Sequence, residues 1–173
     1  MHPLDTLLKA AVMLKEDKRF IFVHIGGGIR LQEVKEYKKK FDLKNIVLLP
    51  YQPRENIHIS LGSSDIQVIS LGDKCVGYTH PNKIYGAMFI GKPVIYIGPD
   101  ESHITEILDK CDGNISVRHG EYNKLVESLI RFAETTENQR INIGNKNRQY
   151  AESHFHPKIL LSNMVTSIEE IMV

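Results

Sequence analysis

Gly77-Tyr78-Thr79-His80-Pro81-Asn82-Lys83-Ile84-Tyr85-Gly86-Ala87-Met88-Phe89-Ile90-Gly91-Lys92-Pro93-Val94-Ile95-Tyr96-Ile97-Gly98 is the stretch whose reading decides the fold. It reads as a loop, a helix opening at Pro81, a Gly91-Lys92-Pro93 turn and a buried strand. A proline in the first helical turn loses no hydrogen bond, because the first amides of a helix have no internal acceptor. Those amides, with the positive end of the helix dipole, suit an anion such as phosphate. Asn82 and Lys83 fall in that turn. A lysine there opposes the dipole, so it either serves an anion or is the solvated side chain of an ordinary helix. Spacing alone leaves both open.

Outward from this stretch, short apolar runs alternate with segments of helical period. The predicted strands are Phe20 to Gly26, Ile46 to Pro50, Ile66 to Leu71, Pro93 to Gly98 and Asn114 to Val117. Their near-continuous Val, Ile and Leu content suits strands covered on both faces. The predicted helices are Pro3 to Leu14, Leu31 to Phe41, Arg54 to Gly62, Pro81 to Ile90, Ser102 to Lys110 and Glu121 to Glu134. A polar helix from Asn138 to Phe155 and an amphipathic one from Pro157 to Val173 follow, separated by His156-Pro157. The alternation predicts an α/β fold: a Rossmann-like, doubly wound parallel sheet with right-handed crossovers.

The bulk numbers bound the rest. A chain of 173 residues suits one domain. With 22 Lys+Arg against 21 Asp+Glu, the net charge of +1 gives no global pull toward nucleic acid. Lys35, Lys38, Lys39, Lys40 and Lys44 form a local basic stretch, read as the wet face of a helix, with a peripheral membrane contact as the alternative. Cys75 and Cys111 argue against a disulfide scaffold and for a reducing compartment. No apolar run approaches the ~20 residues that span a bilayer, and no signal peptide is visible. The expected location is the cytoplasm.

Four segments carry a family resemblance. The run from Pro81 to Ile95 resembles the P-S-K-x-Y-x-x-M-A-x-G-K-P-V-I segment of nucleotide-sugar-dependent glycosyltransferases of the two-domain GT-B fold, retaining family 4 type, in their bacterial polysaccharide-assembly branch. Phe22-Val23-His24-Ile25-Gly26-Gly27-Gly28 resembles their first strand and glycine loop. Ile46-Val47-Leu48-Leu49-Pro50-Tyr51-Gln52-Pro53-Arg54-Glu55 resembles V-x-F-L-P-Y-x-P-x-E, and Ser64-Asp65-Ile66-Gln67-Val68-Ile69-Ser70-Leu71 resembles A-D-V-x-L-x-x-L. The likeness runs to about Phe155 and covers only the C-terminal, nucleotide-sugar-binding half of such an enzyme. It implies a single GT-B C-terminal domain over residues 1–155, with 156–173 a helix crossing toward an N-terminal domain.

What each residue offers is narrower. Gly26, Gly27 and Gly28 let the backbone approach a ligand and take positive φ, as a phosphate-cradling turn needs; the same triplet also serves as a plain strand-to-helix turn. Leu31 stands where a dinucleotide fingerprint has its last glycine, which argues against NAD. Tyr51, at the carboxyl edge of the second strand, either packs on a nucleobase with Arg54 or plugs the surface. The resemblance places the loop from Asp73 to His80 around the diphosphate and sugar, with Tyr78, Thr79 and His80 beside the donor, Asn82 in the turn, and Lys83 as the phosphate cation. His80 alternatively caps the helix.

Many family-4 members carry two glutamates eight residues apart; the aligned positions here are Tyr78 and Gly86, and neither is a carboxylate. Glu101 and Glu106, on the same predicted sheet edge, are candidate substitutes for the ribose contact or plain surface charge. Asp73 lacks an Asp-x-Asp partner, and the histidines lack ligand spacing, so no metal is expected. The resemblance thus implies catalytic roles for Lys83 and His80, and donor binding by Gly26, Gly27, Gly28, Tyr51, Tyr78, Thr79, Asn82 and Gly86. It implies no cofactor beyond a nucleoside-diphosphate sugar (UDP- or GDP-linked) as substrate.

The implied function is the donor-binding half of a glycosyltransferase acting on a glycan or lipid-linked acceptor, inactive by itself. The chain enters a helix at once, where the family has a preceding strand, so a missing N-terminal domain or a partner subunit is expected. Alternatives are a natural nucleotide-binding subunit of a split enzyme, half of a nucleotide-sugar epimerase, or a flavodoxin-like regulatory domain.

Overall fold

The computed structural model describes residues 3–171; Met1 and His2, and Met172 and Val173 at the end of the last predicted helix, lie outside the described residues. Every predicted element forms. Among the described residues five strands are present: β1 (Phe22–Ile25), β2 (Ile46–Leu49), β3 (Gln67–Ser70), β4 (Val94–Ile97) and β5 (Ile115–Val117). Among them run α1 (Asp5–Met13), α2 (Leu31–Lys40), α3 (Ile57–Gly62), α4 (Lys83–Phe89), α5 (His103–Leu108) and α6 (Tyr122–Ala133). α7 (Glu137–His154) and α8 (Pro157–Ile171) close the chain.

All strand pairings are parallel, but they form two ladders rather than one sheet. β1 pairs β2, and β3-β4-β5 make a second ladder. Both ladders run the same way. The Ser70 hydroxyl at the carboxyl end of β3 donates to the Pro3 carbonyl at 2.7 Å, so α1 starts at that edge. The helix then runs back to deliver the chain, through Phe20, to the amino end of β1.

Helices cover both sides. α1 and α6 close over β4 and β5 through Ala10, Leu14, Leu125 and Leu129 against Ile95, Ile97 and Val117, with Phe22 and Val68 packed at the margin. α1 reaches α2 and β2 through Leu8, Ala11, Val34, Leu43 and Ile46. The opposite face of β3 and β4 is covered by α4 and α5, with Ala151 of α7 in the same cluster. Val94, Ile95, Tyr96 and Ile97 are all buried, which explains why β4 is apolar at every position rather than alternating.

The α4 region differs from expectation by two residues. The helix begins at Lys83, with Asn82 as its N-cap, because the Ile84 amide bonds to the Pro81 carbonyl at 3.1 Å in a tight opening turn. Its other end is closed by Gly91, whose φ of +72° is the left-handed geometry that glycine tolerates best. The Lys92 amide there bonds back to Ala87 at 3.1 Å. α7, polar along its length, is a packed element. Gly144, Asn147 and Ala151 are buried on it. A Cβ on Gly144 would sit 1.9 Å from the Gly91 carbonyl oxygen. Asn147 donates to the Lys92 carbonyl at 2.8 Å, and Arg148 caps α4 by donating to the Phe89 and Ile90 carbonyls at 2.9 and 3.2 Å. α8 buries none of its residues. Among the described residues, no helix is long and apolar enough to cross a membrane.

Candidate functional site

The predicted site residues lie on the loops that leave the carboxyl ends of the strands. From β1 comes the glycine turn. Gly26 and Gly28 have φ of +102° and +110°, which explains glycine at both. The Gly26 amide is tied to Leu49 at 2.9 Å, whereas the Gly27 and Gly28 amides have no acceptor among the described residues. From β2 comes Tyr51, and the structure brings it onto that turn. A Cβ on Gly26 would meet the Tyr51 ring at 3.0 Å, and one on Gly27 at 2.9 Å. The bare glycine backbone is therefore the bed of the aromatic ring, which remains 78% exposed. Arg54 is exposed nearby in sequence, in a 3-10 turn (Arg54–Asn56) before α3.

The loop after β3 is organised by its own backbone. A 3-10 turn over Asp73–Cys75 is closed by the Cys75 amide on Gly72 at 2.8 Å. The Cys75 carbonyl then accepts the Tyr78 amide at 3.1 Å, the Thr79 amide at 3.0 Å and the Thr79 hydroxyl at 3.3 Å. Both donors of Thr79 are thus turned inward, while Tyr78 stands 89% exposed. Asn82 and Lys83 are exposed, and the Asn82 side chain makes no cap bond. Among the described residues the Lys83 ammonium has no acceptor or ion-pair partner. Gly86 lies within α4, where a Cβ would touch Leu61 of α3 at 3.2 Å.

His80 joins a ring cluster that sequence reading did not assemble. Its ring is 4.5 Å from His103, edge-on, and 5.2 Å from Tyr85. The Tyr85 hydroxyl lies 3.5 Å from His103 Nε2, and His103 Nδ1 lies 3.5 Å from the Glu106 carboxylate. Phe155 backs Tyr85 at 4.8 Å. Partial desolvation, then the charge of His103, pushes the His80 pKa down, and burial pushes the Tyr85 phenol up. Ligand spacing in the sequence gives His103 no role. The usable signal was its place directly after Ser102, the cap of α5, which puts it on the same carboxyl edge as His80.

Glu101 and Glu106 are exposed. Beyond them, Arg118 after β5 donates to Asp100 after β4 from Nε at 2.6 Å; that hydrogen bond holds the Asp100 carboxyl below its usual range. Among the described residues, no three His, Cys, Asp or Glu side chains are grouped as a metal site. Cys75 is half-buried, Cys111 is buried, and both are free.

This architecture has known counterparts. TarM of S. aureus, solved with fondaparinux, α-GlcNAc-glycerol and UDP, superposes with a TM-score of 0.75 at 17% identity over 95% of this chain and 32% of that one. Anabaena HepE, solved with UDP-glucose, gives 0.75 at 15% identity over 96% of this chain and 44% of that one. The fold is that of a GT-B Rossmann-like domain. In sequence, the probable glycosyltransferase WbjE of Pseudomonas aeruginosa is 22% identical over 110 residues, 64% of this chain and 27% of that protein. No family model matches the chain. The chain thus spans about a quarter of its curated relative and a third to under half of those solved structures.

Proposed function

We propose that this chain is the nucleotide-sugar-binding half of a glycosyltransferase. The observation that carries the reading is the placement of the candidate groups. The glycine turn with Tyr51 leaves one parallel ladder, the Asp73–Lys83 loop leaves the other, and both lie at carboxyl edges. In open α/β sheets ligands bind outside the carboxyl ends of strands, where the strand order reverses. Groups able to take an anion stand there without partners among the described residues: the Gly27 and Gly28 amides, and the Lys83 ammonium.

In this reading the donor is a UDP- or GDP-linked sugar, and TarM and HepE, each solved with UDP or UDP-glucose, support it. Lys83 and the loop amides hold the diphosphate, and His80 stands beside the sugar. As the glycosidic bond breaks, the electron pair stays on the departing phosphate oxygen, and pre-aimed cations and amides stabilise that charge. The protein groups do this without a metal. The acceptor, a glycan or lipid-linked sugar, meets the donor on an N-terminal domain or partner subunit, so the chain by itself transfers nothing. The two free cysteines suit a cytoplasmic location.

Calorimetric titration with UDP and GDP tests this. One nucleotide binds weakly, EDTA does not change its affinity, and Lys83→Ala weakens binding about tenfold or more, since a hydrogen bond to a charged group contributes roughly 1.5–3 kcal/mol. Equal binding by both proteins removes Lys83 from the site. No heat with either nucleotide at millimolar concentration sinks the reading.

A further inference from the structure

We propose that a basic cavity between the end of α2 and the outer edge of β2 is a binding site for a phosphate monoester. The cavity measures about 310 Å³, at the small end of the range that holds small molecules. Lys35, Lys38, Lys39 and Lys44 line it, against one carboxylate, Asp42. Gly26, Gly27, Gly28, Tyr51 and Lys83 do not, so this pocket is separate from the donor groups.

The lysines are gathered rather than dispersed. Steps of three and four residues put Lys35, Lys38 and Lys39 on one face of α2, although like charges four apart destabilise a helix. The helix dipole accounts for cations in the last turn, Lys38 to Lys40. It accounts neither for Lys35, in the middle of the helix, nor for Lys44, beyond its end. Among the described residues Lys35 and Lys39 have no acceptor or ion-pair partner. Lys44 lies 3.9 Å from Asp42 with both side chains exposed, a contact that contributes little in water. The cavity therefore holds an excess of positive charge.

Two further donors are fixed in place. Lys38 Nζ donates to the Leu43 and Ile46 carbonyls at 2.9 and 2.5 Å. An ammonium has three N–H groups, so one is left over, on a half-buried side chain whose position is set. The Phe22 and Gly26 amides bond to the Asn45 and Leu49 carbonyls at 2.7 and 2.9 Å. Alternate residues of a strand present their backbone groups to the same edge, so the Leu48 amide faces outward. No strand pairs β2 on that side among the described residues. Clustered ammoniums beside a backbone N–H are a phosphate donor set. A phosphate monoester carries about −1.5 to −2 charges at neutral pH, which matches several cations better than a carboxylate does. Leu43, buried, and Leu48, half-buried, supply an apolar wall for the carbon side of the ester.

Asp42 offers a variant that acts by gain. Its φ of +48° is left-handed, a geometry that both Asp and Asn tolerate. Asp42→Asn thus removes the opposing charge and keeps the turn.

The test titrates the full chain at low salt, where exposed charges are least screened. Glycerol 3-phosphate, followed by amide NMR, is the soluble probe; flotation with phosphatidylcholine vesicles carrying phosphatidic acid offers the same ester as a lipid headgroup. Glycerol phosphate moving the Leu48 amide identifies a soluble ester, and capture by the vesicles alone identifies the headgroup. With either probe, joint Lys35→Gln and Lys39→Gln weakens binding about fivefold or more, and Asp42→Asn tightens it about twofold, as exposed charges do. Lys158→Gln, an exposed lysine on α8, changes nothing. Neither a Leu48 shift nor vesicle capture at millimolar phosphate overturns the proposal. So does equal weakening by Lys158→Gln, which marks diffuse attraction, or poly-glutamate binding more tightly than both probes, which makes an acidic chain the partner.

Discussion

A proton on His80 sits badly among its neighbours. The ring is partly stripped of water, and a charge on His103 4.5 Å away adds repulsion. The folded-state pKa is therefore below the ordinary value of about 6.5. The sign for stability follows from linkage: the unfolded chain binds the proton more readily, so the native contribution is complete above about pH 6.5 and is lost as pH falls through the folded value. Proton NMR titration of the His80 ring is expected to show a midpoint below 6.5, moved upward in His103→Gln. A midpoint unaffected by that change would show that His103 exerts no field on His80. At this scale the sequence was readable in part. Glycine at 26 and 28 announced positive φ, and both positions have it. That Tyr51 lies on the turn was not readable, because a contact between residues 25 apart depends on the β1–β2 register, Ile25 against Leu49.

At the scale of elements, α7 shows how a helix can be packed without looking amphipathic. Its buried stripe is Gly144, Asn147 and Ala151, small or polar residues that no hydrophobic period reveals. The stripe works because close approach replaces apolar area. Gly144 admits the Gly91 carbonyl, and Asn147 meets the Lys92 carbonyl and Asn114 Oδ1 at 2.8 and 3.0 Å. Gly144→Ala sets two effects against each other. Helix propensity gains roughly 1 kcal/mol, but a Cβ 1.9 Å from a backbone oxygen forces α4 and α7 apart. Overpacking of this kind costs about 3 kcal/mol or more when backbone must move, so the clash wins. Chemical denaturation is expected to show a net loss of about 2 kcal/mol; an unchanged or raised midpoint would mean that the helices separate freely. The strands posed the opposite case. β4 was legible because a strand covered on both faces must be apolar throughout, whereas the break between the two ladders left no mark on the sequence pattern.

For the molecule as a whole, stability is concentrated before Phe155. α8 has no buried residue, and Leu160, Leu161, Met164, Val165 and Ile168 are each about half exposed or more. Ending the chain after His156 is therefore expected to shift the melting temperature by no more than about 2–4 °C, the change that ~1 kcal/mol produces at this size. A larger drop, measured by calorimetry, would show α8 docked on the domain in solution.

By itself the sequence determined the class of the fold. Periodicity, glycine and proline positions act over a few residues, and they wrote out five parallel strands, their covering helices and the carboxyl-edge loops in order. Only the tertiary structure decided which loops meet, which polar side chains are buried, and that the strands stand as two ladders under one helix. Those outcomes depend on contacts between residues far apart in the chain, whose partners no local pattern of residues can specify.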